Sequence, residues 1–102
     1  MGKKLPIPSA AKADPHSVEM IRVWIASQKL HCVLNIGMWE DQGIDEREAW
    51  GILLADMLRH IAAAHEAEYG RDPRESIVMV RNSLAAELDR PTSANEGYFQ
   101  DE

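Results

Sequence analysis

The sequence is poor in the residues and segments that mark several protein classes. Its single cysteine, Cys32, cannot form an internal disulfide, which excludes a disulfide-stabilised scaffold and favours a reducing compartment. No stretch approaches the roughly 18 consecutive apolar residues of a membrane-spanning helix. The first residues, Met-Gly-Lys-Lys, lack the apolar run of a secretory signal peptide. We therefore predict a cytoplasmic protein that does not enter the membrane.

Positive charge is also scarce, and it is unevenly distributed. The net charge is −6; residues 45–102 carry thirteen acidic and six basic groups, whereas residues 1–44 carry four acidic and five basic ones. An acidic surface repels the phosphate backbone of nucleic acids. We therefore predict no nucleic-acid partner.

The motifs of common catalytic and metal sites are missing as well. The sequence contains no phosphate-binding loop, nucleophile elbow or set of zinc ligands. His60 and His65 are five residues apart on a predicted helix, so their side chains diverge by about 140° and cannot share one metal ion. His65 and Glu68 have a compatible spacing, but His65 lies on an apolar arc where a buried, hydrogen-bonded histidine is the commoner role. We predict no metal, no cofactor and no catalytic residues.

Two polar clusters have simpler explanations than a binding site. Arg71, Asp72 and Arg74 could bind an anion at a helix N-terminus, but Asp72 is itself predicted to cap that helix. Five acidic residues crowd the loop before the predicted long helix and its first turn: Glu40, Asp41, Asp45, Glu46 and Glu48. We attribute those from Asp45 onward to the preference of helix N-termini for negative charge.

What the sequence does contain, above all, is a long amphipathic helix between Asp45 and Gly70. Its large apolar residues recur at steps of three and four: Trp50, Leu53, Leu54, Met57, Leu58 and Ile61. They fill an arc of roughly 200°, wider than one neighbouring element would need. Asp45 with Glu48 predicts a capping box at its start, and Gly70 predicts a left-handed cap at its end.

A second helix follows directly. Asp72 is its predicted N-cap, Pro73 suits the first helical position, and Pro91 ends it. A narrower apolar stripe runs along it: Ile77, Val80, Leu84 and Leu88. Because the connection is so short, the two helices are predicted to be antiparallel.

Between residues 18 and 36 the apolar period changes from helical spacing to two, which predicts a β-hairpin. A two-residue turn at Gln28 and Lys29 would pair Ile25 with Cys32 and align the strongly apolar positions on one face. Gln-Lys lacks the Asn-Gly chemistry of a tight turn, so a longer loop is the alternative.

The second face of this hairpin is half apolar, and we single it out as a candidate interface. It carries Met20, Arg22, Trp24, His31, Val33 and Asn35. A lone two-stranded hairpin is marginally stable and leaves two unpaired edges, and one helical layer covers only one of its faces. We therefore predict a homodimer that uses this face or a sheet edge. The alternative is a monomer with Trp24 partly in solvent.

These elements predict one α+β domain. An antiparallel hairpin, extended by short strands in one variant of the prediction, packs on two antiparallel helices within residues 18–91. Residues 1–17, with three prolines, are predicted to be an extended arm, and residues 92–102 an acidic tail.

Five segments of the sequence are distinctive: Leu5-Pro6-Ile7-Pro8, Arg22-Val23-Trp24-Ile25, Trp39-Glu40-Asp41, Trp50-Gly51-Ile52-Leu53-Leu54-Ala55-Asp56 and Gly70-Arg71-Asp72-Pro73. Together they resemble a small bacterial family that is catalogued only as a domain of unknown function. The resemblance covers about residues 5–91, and Gln28-Lys29 departs from the glycine-containing turn expected there. It implies a stand-alone bacterial cytoplasmic protein and brings no activity, substrate or catalytic residue.

The function predicted from the sequence is that of a non-catalytic homodimeric interaction module. The alternative is a small-ligand-binding protein or an accessory subunit of an enzyme, with a pocket between the sheet and Trp39 or Trp50.

Overall fold

The structure, a computed structural model, describes residues 4–92, with only the backbone of Asp41. Its elements are α1 (Ser9–Ala13), β1 (Ile21–Ala26), β2 (Lys29–Leu34), a 3-10 turn (Glu40–Gln42), α2 (Glu46–Tyr69) and α3 (Pro73–Asp89). An antiparallel hairpin and two long antiparallel helices confirm the predicted α+β class. The chain divides into two compact units. One contains the hairpin and extends to Ile36, and the other begins at Gly37 and contains α2 and α3.

The hairpin forms where the period of two predicts it, but its register differs from the expected one. Ile25 pairs with Leu30 rather than with Cys32, and the turn is Ser27-Gln28 rather than Gln28-Lys29. Both turn residues have positive φ, 53° and 63°, as in a type I′ turn. The register is shifted by two residues, so each side chain stays on the face that the alternation assigns to it.

We expected residues 1–17 to form an extended arm, but part of this segment is helical. Ser9–Ala13 form a single helical turn, in which the carbonyl of Pro8 accepts from the N–H groups of Ala11 and Lys12. Alanine and lysine are strong helix formers, and the prolines lie outside this turn. The predicted acidic tail, apart from Thr92, lies outside the described residues.

The predicted terminal residues of α2 are confirmed, although the carboxylate of Asp45 accepts from the N–H of Arg47 and not from that of Glu48, which the predicted capping box requires. Asp45 is the N-cap, and its carboxylate accepts from the N–H of Arg47 at 3.0 Å. Gly70 ends the helix with φ 69°, and its N–H donates to the carbonyl of Glu66 at 2.8 Å. At 1.5 Å per residue the helix is about 36 Å long.

Helix α3 also has its predicted start, with Asp72 as N-cap and Pro73 in the first turn. It packs on α2. Ala62 on α2 is 1% exposed and is the single buried apolar residue among residues 4–92. Leu84 and Leu88, the C-terminal half of the predicted stripe, are exposed. Within the described part of the chain, no helix is both long enough and apolar enough to cross a bilayer.

Candidate functional site

The structure brings the six residues of the candidate interface together on one face of the hairpin. Arg22 lies directly opposite Val33, and Trp24 lies opposite His31. The N–H of Asn35 donates to the carbonyl of Met20 at 3.0 Å, which continues the pairing by one step. We call this set of three cross-strand pairs the hairpin surface. The observed register, and not the predicted one, is what sets all six residues opposite one another.

The hairpin surface combines an exposed aromatic ring with positioned polar groups. The side chain of Trp24, in the hairpin surface, is exposed. Arg22 forms a 2.7 Å ion pair with Glu19, and both side chains are more than half exposed. The Nε2–H of His31 donates to the carbonyl of Ala26 at 3.1 Å. A large aromatic ring beside an arginine is typical of protein-binding surfaces.

The opposite face of the hairpin exposes more apolar surface than we expected. On this face Ile25 and Leu30 form the pair nearest the turn, and Ile25 is 79% exposed. Val23, one pair further along, is exposed too. The alternation of residues assigned these side chains to one face but did not reveal that the turn end of that face is open.

A second site, which the sequence did not reveal, surrounds the carboxylate of Glu46 at the start of α2. Glu46 is only 5% exposed. Both of its oxygens lie 2.9 Å from the N–H of Gly37, and Oε2 also accepts from the N–H of Trp39 at 3.3 Å. Oε1 accepts from the indole Nε1 of Trp50 at 2.9 Å. We call these four residues the Glu46 cluster.

The Glu46 cluster is built to hold a negative charge in place. Its backbone and indole donors, first the N–H of Gly37 and then Nε1 of Trp50, lower the pKa of Glu46 although burial opposes this. The rings of Trp39 and Trp50 pack edge to face at 5.9 Å. A carboxylate with a lowered pKa is a weak proton acceptor at neutral pH, and these three donors hold it between the preceding loop and the first turn of α2.

Glu46 therefore corrects our interpretation of the acidic residues before α2. We attributed it, with Asp45 and Glu48, to helix-terminal electrostatics, but it anchors the preceding loop. Asp45 does act as the expected cap, and its bonds with Arg47 lower its pKa to about 2. The spacing of four between Glu46 and Trp50 was the available sequence signal.

His65, which we expected to be a buried, hydrogen-bonded residue, belongs to a stacked polar group at the α2–α3 turn. Nδ1 of His65 accepts from the guanidinium of Arg71 at 3.0 Å, and that guanidinium lies 4.7 Å above the ring of Tyr69. His65 is half-buried, less enclosed than expected. No group of three or more potential metal-ligating side chains occurs in the described residues.

An open groove of about 450 Å³ lies beside this group, between α2 and α3. Its walls are apolar near Ile61, Met79 and Val80 and charged at the turn, where Arg71 and Asp72 lie. Asp72 is occupied as the N-cap of α3, accepting from the N–H of Arg74 at 3.0 Å, as its position predicted. This leaves the helix N-terminus closed to an anion.

The comparisons with known proteins agree with this architecture. One solved structure, from the photosynthetic bacterium Rhodopseudomonas palustrus CGA009 and named "putative pyruvate dehydrogenase", is similar over 99% of this chain and 98% of its own, with 23% identity and a TM-score of 0.68. At that identity the likeness shows the fold alone. No curated protein matches. The profile of a family described as a domain of unknown function (DUF5076) matches residues 4–92, so the chain belongs to that family.

Proposed function

We propose that this protein is a non-catalytic homodimeric interaction module of the bacterial cytoplasm. One observation carries the proposal: apolar side chains that are normally buried are exposed on both strands and on both long helices, while Ala62 alone is buried among the described apolar residues. Monomeric soluble proteins rarely leave almost all of their large apolar side chains in contact with solvent. The free thiol of Cys32 supports a reducing compartment.

The energetic argument favours self-association. Covering a half-exposed leucine or isoleucine side chain contributes roughly 1 kcal/mol. In a twofold contact each covered side chain counts twice, once on each copy, towards an association cost of about 4–15 kcal/mol. Every copy of the chain carries the same surface, so a second copy is always available as the partner.

The hairpin surface is the proposed contact on the first compact unit. Its six residues are Met20, Arg22, Trp24, His31, Val33 and Asn35. The sheet has two strands within the described residues, and a two-stranded sheet is marginally stable alone. An exposed aromatic ring on this sheet supports assembly through the hairpin surface.

Light scattering coupled to size exclusion tests the proposal. We expect the wild type at about 50 µM to elute with twice the 11.5 kDa chain mass. Trp24→Glu should weaken association, because it places a charge at the centre of the hairpin surface. Leu5→Glu, a matched change at an exposed apolar residue of the arm, should leave the mass unchanged. A wild type that stays monomeric at this concentration contradicts the proposal.

The competing function, a small-ligand-binding protein or enzyme accessory subunit, is favoured by one observation, the groove beside His65 and Arg71. The Rhodopseudomonas protein's name suggests pyruvate as the first ligand to test. A saturable rise in melting temperature with pyruvate, lost in Arg71→Ala, would support this function over the interaction module.

A further inference from the structure

We propose that α2 carries a twofold contact in which the α2 of a second copy lies antiparallel along Leu54, Met57 and Ile61. This inference rests on the proposed homodimer and gives its partner a defined place on the second compact unit. We call these three residues the α2 strip.

The α2 strip has the spacing of a helix-packing seam. With Trp50 one turn earlier, its residues follow steps of four, three and four, which places them within an arc of about 60° on the helix. Such a pattern repeats on the side of a helix that meets another helix.

The strip is partly open to solvent. Leu54 is 49% exposed, Met57 39% and Ile61 42%. By contrast Ala62, beside the strip on α2, is 1% exposed. Helix α2 thus has one apolar side that is buried at Ala62 and a second that is partly exposed at the strip. This matches the apolar arc of α2, which is wider than a single neighbouring element would need.

The groove next to the strip has room for the edge of another helix. Ile61 belongs to both, and Met79 and Val80 on α3 form the far wall. Met79 is exposed. A helix laid along the strip would bury this wall as well, so the contact would involve both long helices of the protomer.

Charge complementarity argues for a second copy in the antiparallel orientation. Arg47, which also pairs with Asp45 at 2.7 Å, and Glu68 lie beyond the two ends of the strip, about 32 Å apart along the helix, and both side chains are exposed. An antiparallel copy brings Arg47 of each chain towards Glu68 of the other, twice by symmetry. A parallel copy would bring like charges together, which is unfavourable.

Two strip variants and a matched control test the contact. Leu54→Glu and Ile61→Glu should convert the dimer to a monomer in light scattering at about 50 µM. Ile52→Glu, at a 67% exposed residue on the opposite side of α2, should stay dimeric. Circular dichroism of each variant reports whether the helices remain.

Charge reversal provides a second arm that does not depend on placing a charge in an apolar strip. Arg47→Glu and Glu68→Arg should each weaken dimerisation by roughly tenfold, and the double variant should regain most of the loss. Both positions are exposed. Because Arg47→Glu also removes the ion pair with Asp45, circular dichroism of each charge variant reports whether α2 remains helical.

The outcomes separate this inference from the proposed function. A monomeric wild type overturns both. A wild-type dimer that survives Leu54→Glu and Ile61→Glu and is insensitive to charge reversal overturns the α2 contact and leaves the homodimer standing. A monomeric wild type whose α2 strip captures a helix of another protein also overturns the proposal, because the occupant would not be a second copy.

Discussion

Trp50 donates from its indole Nε1 to the carboxylate of Glu46, 2.9 Å away and one helical turn earlier. The same carboxylate accepts from the backbone N–H groups of Gly37 and Trp39, which precede α2. One side chain at the first helical position therefore ties the helix to the loop before it. A change at Glu46 should act on both elements together.

Replacing Glu46 with glutamine should destabilise the protein although the shape is conserved. The carboxylate offers two acceptor oxygens, whereas the amide offers one and would point its NH2 group at the N–H of Gly37 or Trp39. We expect the melting temperature to fall by on the order of 5 °C, measured by differential scanning calorimetry at one fixed protein concentration. Glu48→Gln, an exposed change on the same turn, should have little effect; equal shifts in the two variants would contradict a special role for Glu46.

Trp50→Phe tests the indole hydrogen bond separately from ring packing. Phenylalanine keeps an aromatic ring against Trp39 but has no donor for Glu46. We expect a loss of about 1 kcal/mol in the free energy of unfolding, measured by chemical denaturation. In the Glu46→Gln background the same change should cost less, because the two residues share one interaction.

The stability should fall in acid, and the Glu46 cluster should contribute to the fall. The folded-state pKa of Glu46 is below its ordinary value, and that of Asp45 is about 2. A lowered pKa contributes stability above the unfolded-state pKa, and this contribution is lost as the pH falls through the folded-state value. The melting temperature should therefore decline between about pH 5 and pH 2. Glu46→Gln should decline less steeply over this range, and an unchanged slope would contradict the prediction.

The helices could be predicted because their signals are local. The apolar spacing, the caps Asp45 and Asp72, and the left-handed Gly70 each depend on a few neighbouring residues. These signals placed both ends of α2 within one residue. They could not show which apolar side of α2 is covered, because that depends on the packing of α3 and on any partner.

The hairpin shows where periodicity stops being informative. Pairing Ile25 with Leu30 or with Cys32 keeps the same side chains on each face, since the two registers differ by two residues. Turn chemistry should choose between them, but neither Ser27-Gln28 nor Gln28-Lys29 contains glycine or asparagine. The faces were therefore predictable, and the register was not.

The six residues of the hairpin surface were predictable as one face, whereas the sequence contains a signal for only one pair of the Glu46 cluster, Glu46 with Trp50. The face follows from the alternation alone. The Glu46 cluster requires the loop from Gly37 to fold back over the first turn of α2, and a glutamate at that position is already explained by helix electrostatics. Because helix electrostatics already explains a glutamate at this position, there was no reason to expect from the sequence that Glu46 also binds the preceding loop.

Replacing Gly51 within α2 and Gly70 at its C-cap by alanine should change the free energy of unfolding in opposite directions. Gly70 has φ 69°, and an added Cβ there would meet no atom within 4 Å, so Gly70→Ala should cost about 1 kcal/mol through backbone strain alone. Gly51 lies inside the helix with equally open surroundings, so Gly51→Ala should stabilise by about 1 kcal/mol. Urea denaturation measures both. A destabilising Gly51→Ala would mean that another backbone approaches that side of α2 closely.

The hairpin should be stabilised by turn residues that adopt positive φ readily. Ser27 and Gln28 both have positive φ, which is unfavourable for side chains with a Cβ, whereas asparagine and glycine adopt it readily. The double change Ser27→Asn with Gln28→Gly should therefore stabilise the hairpin by about 1 kcal/mol. Hydrogen exchange at the N–H of Asn35, which donates to Met20 at the far end of the ladder, reports this locally and should slow. Ser27→Val, a β-branched residue in the same conformation, should speed exchange; if both variants exchange like the wild type, the turn is not at Ser27-Gln28.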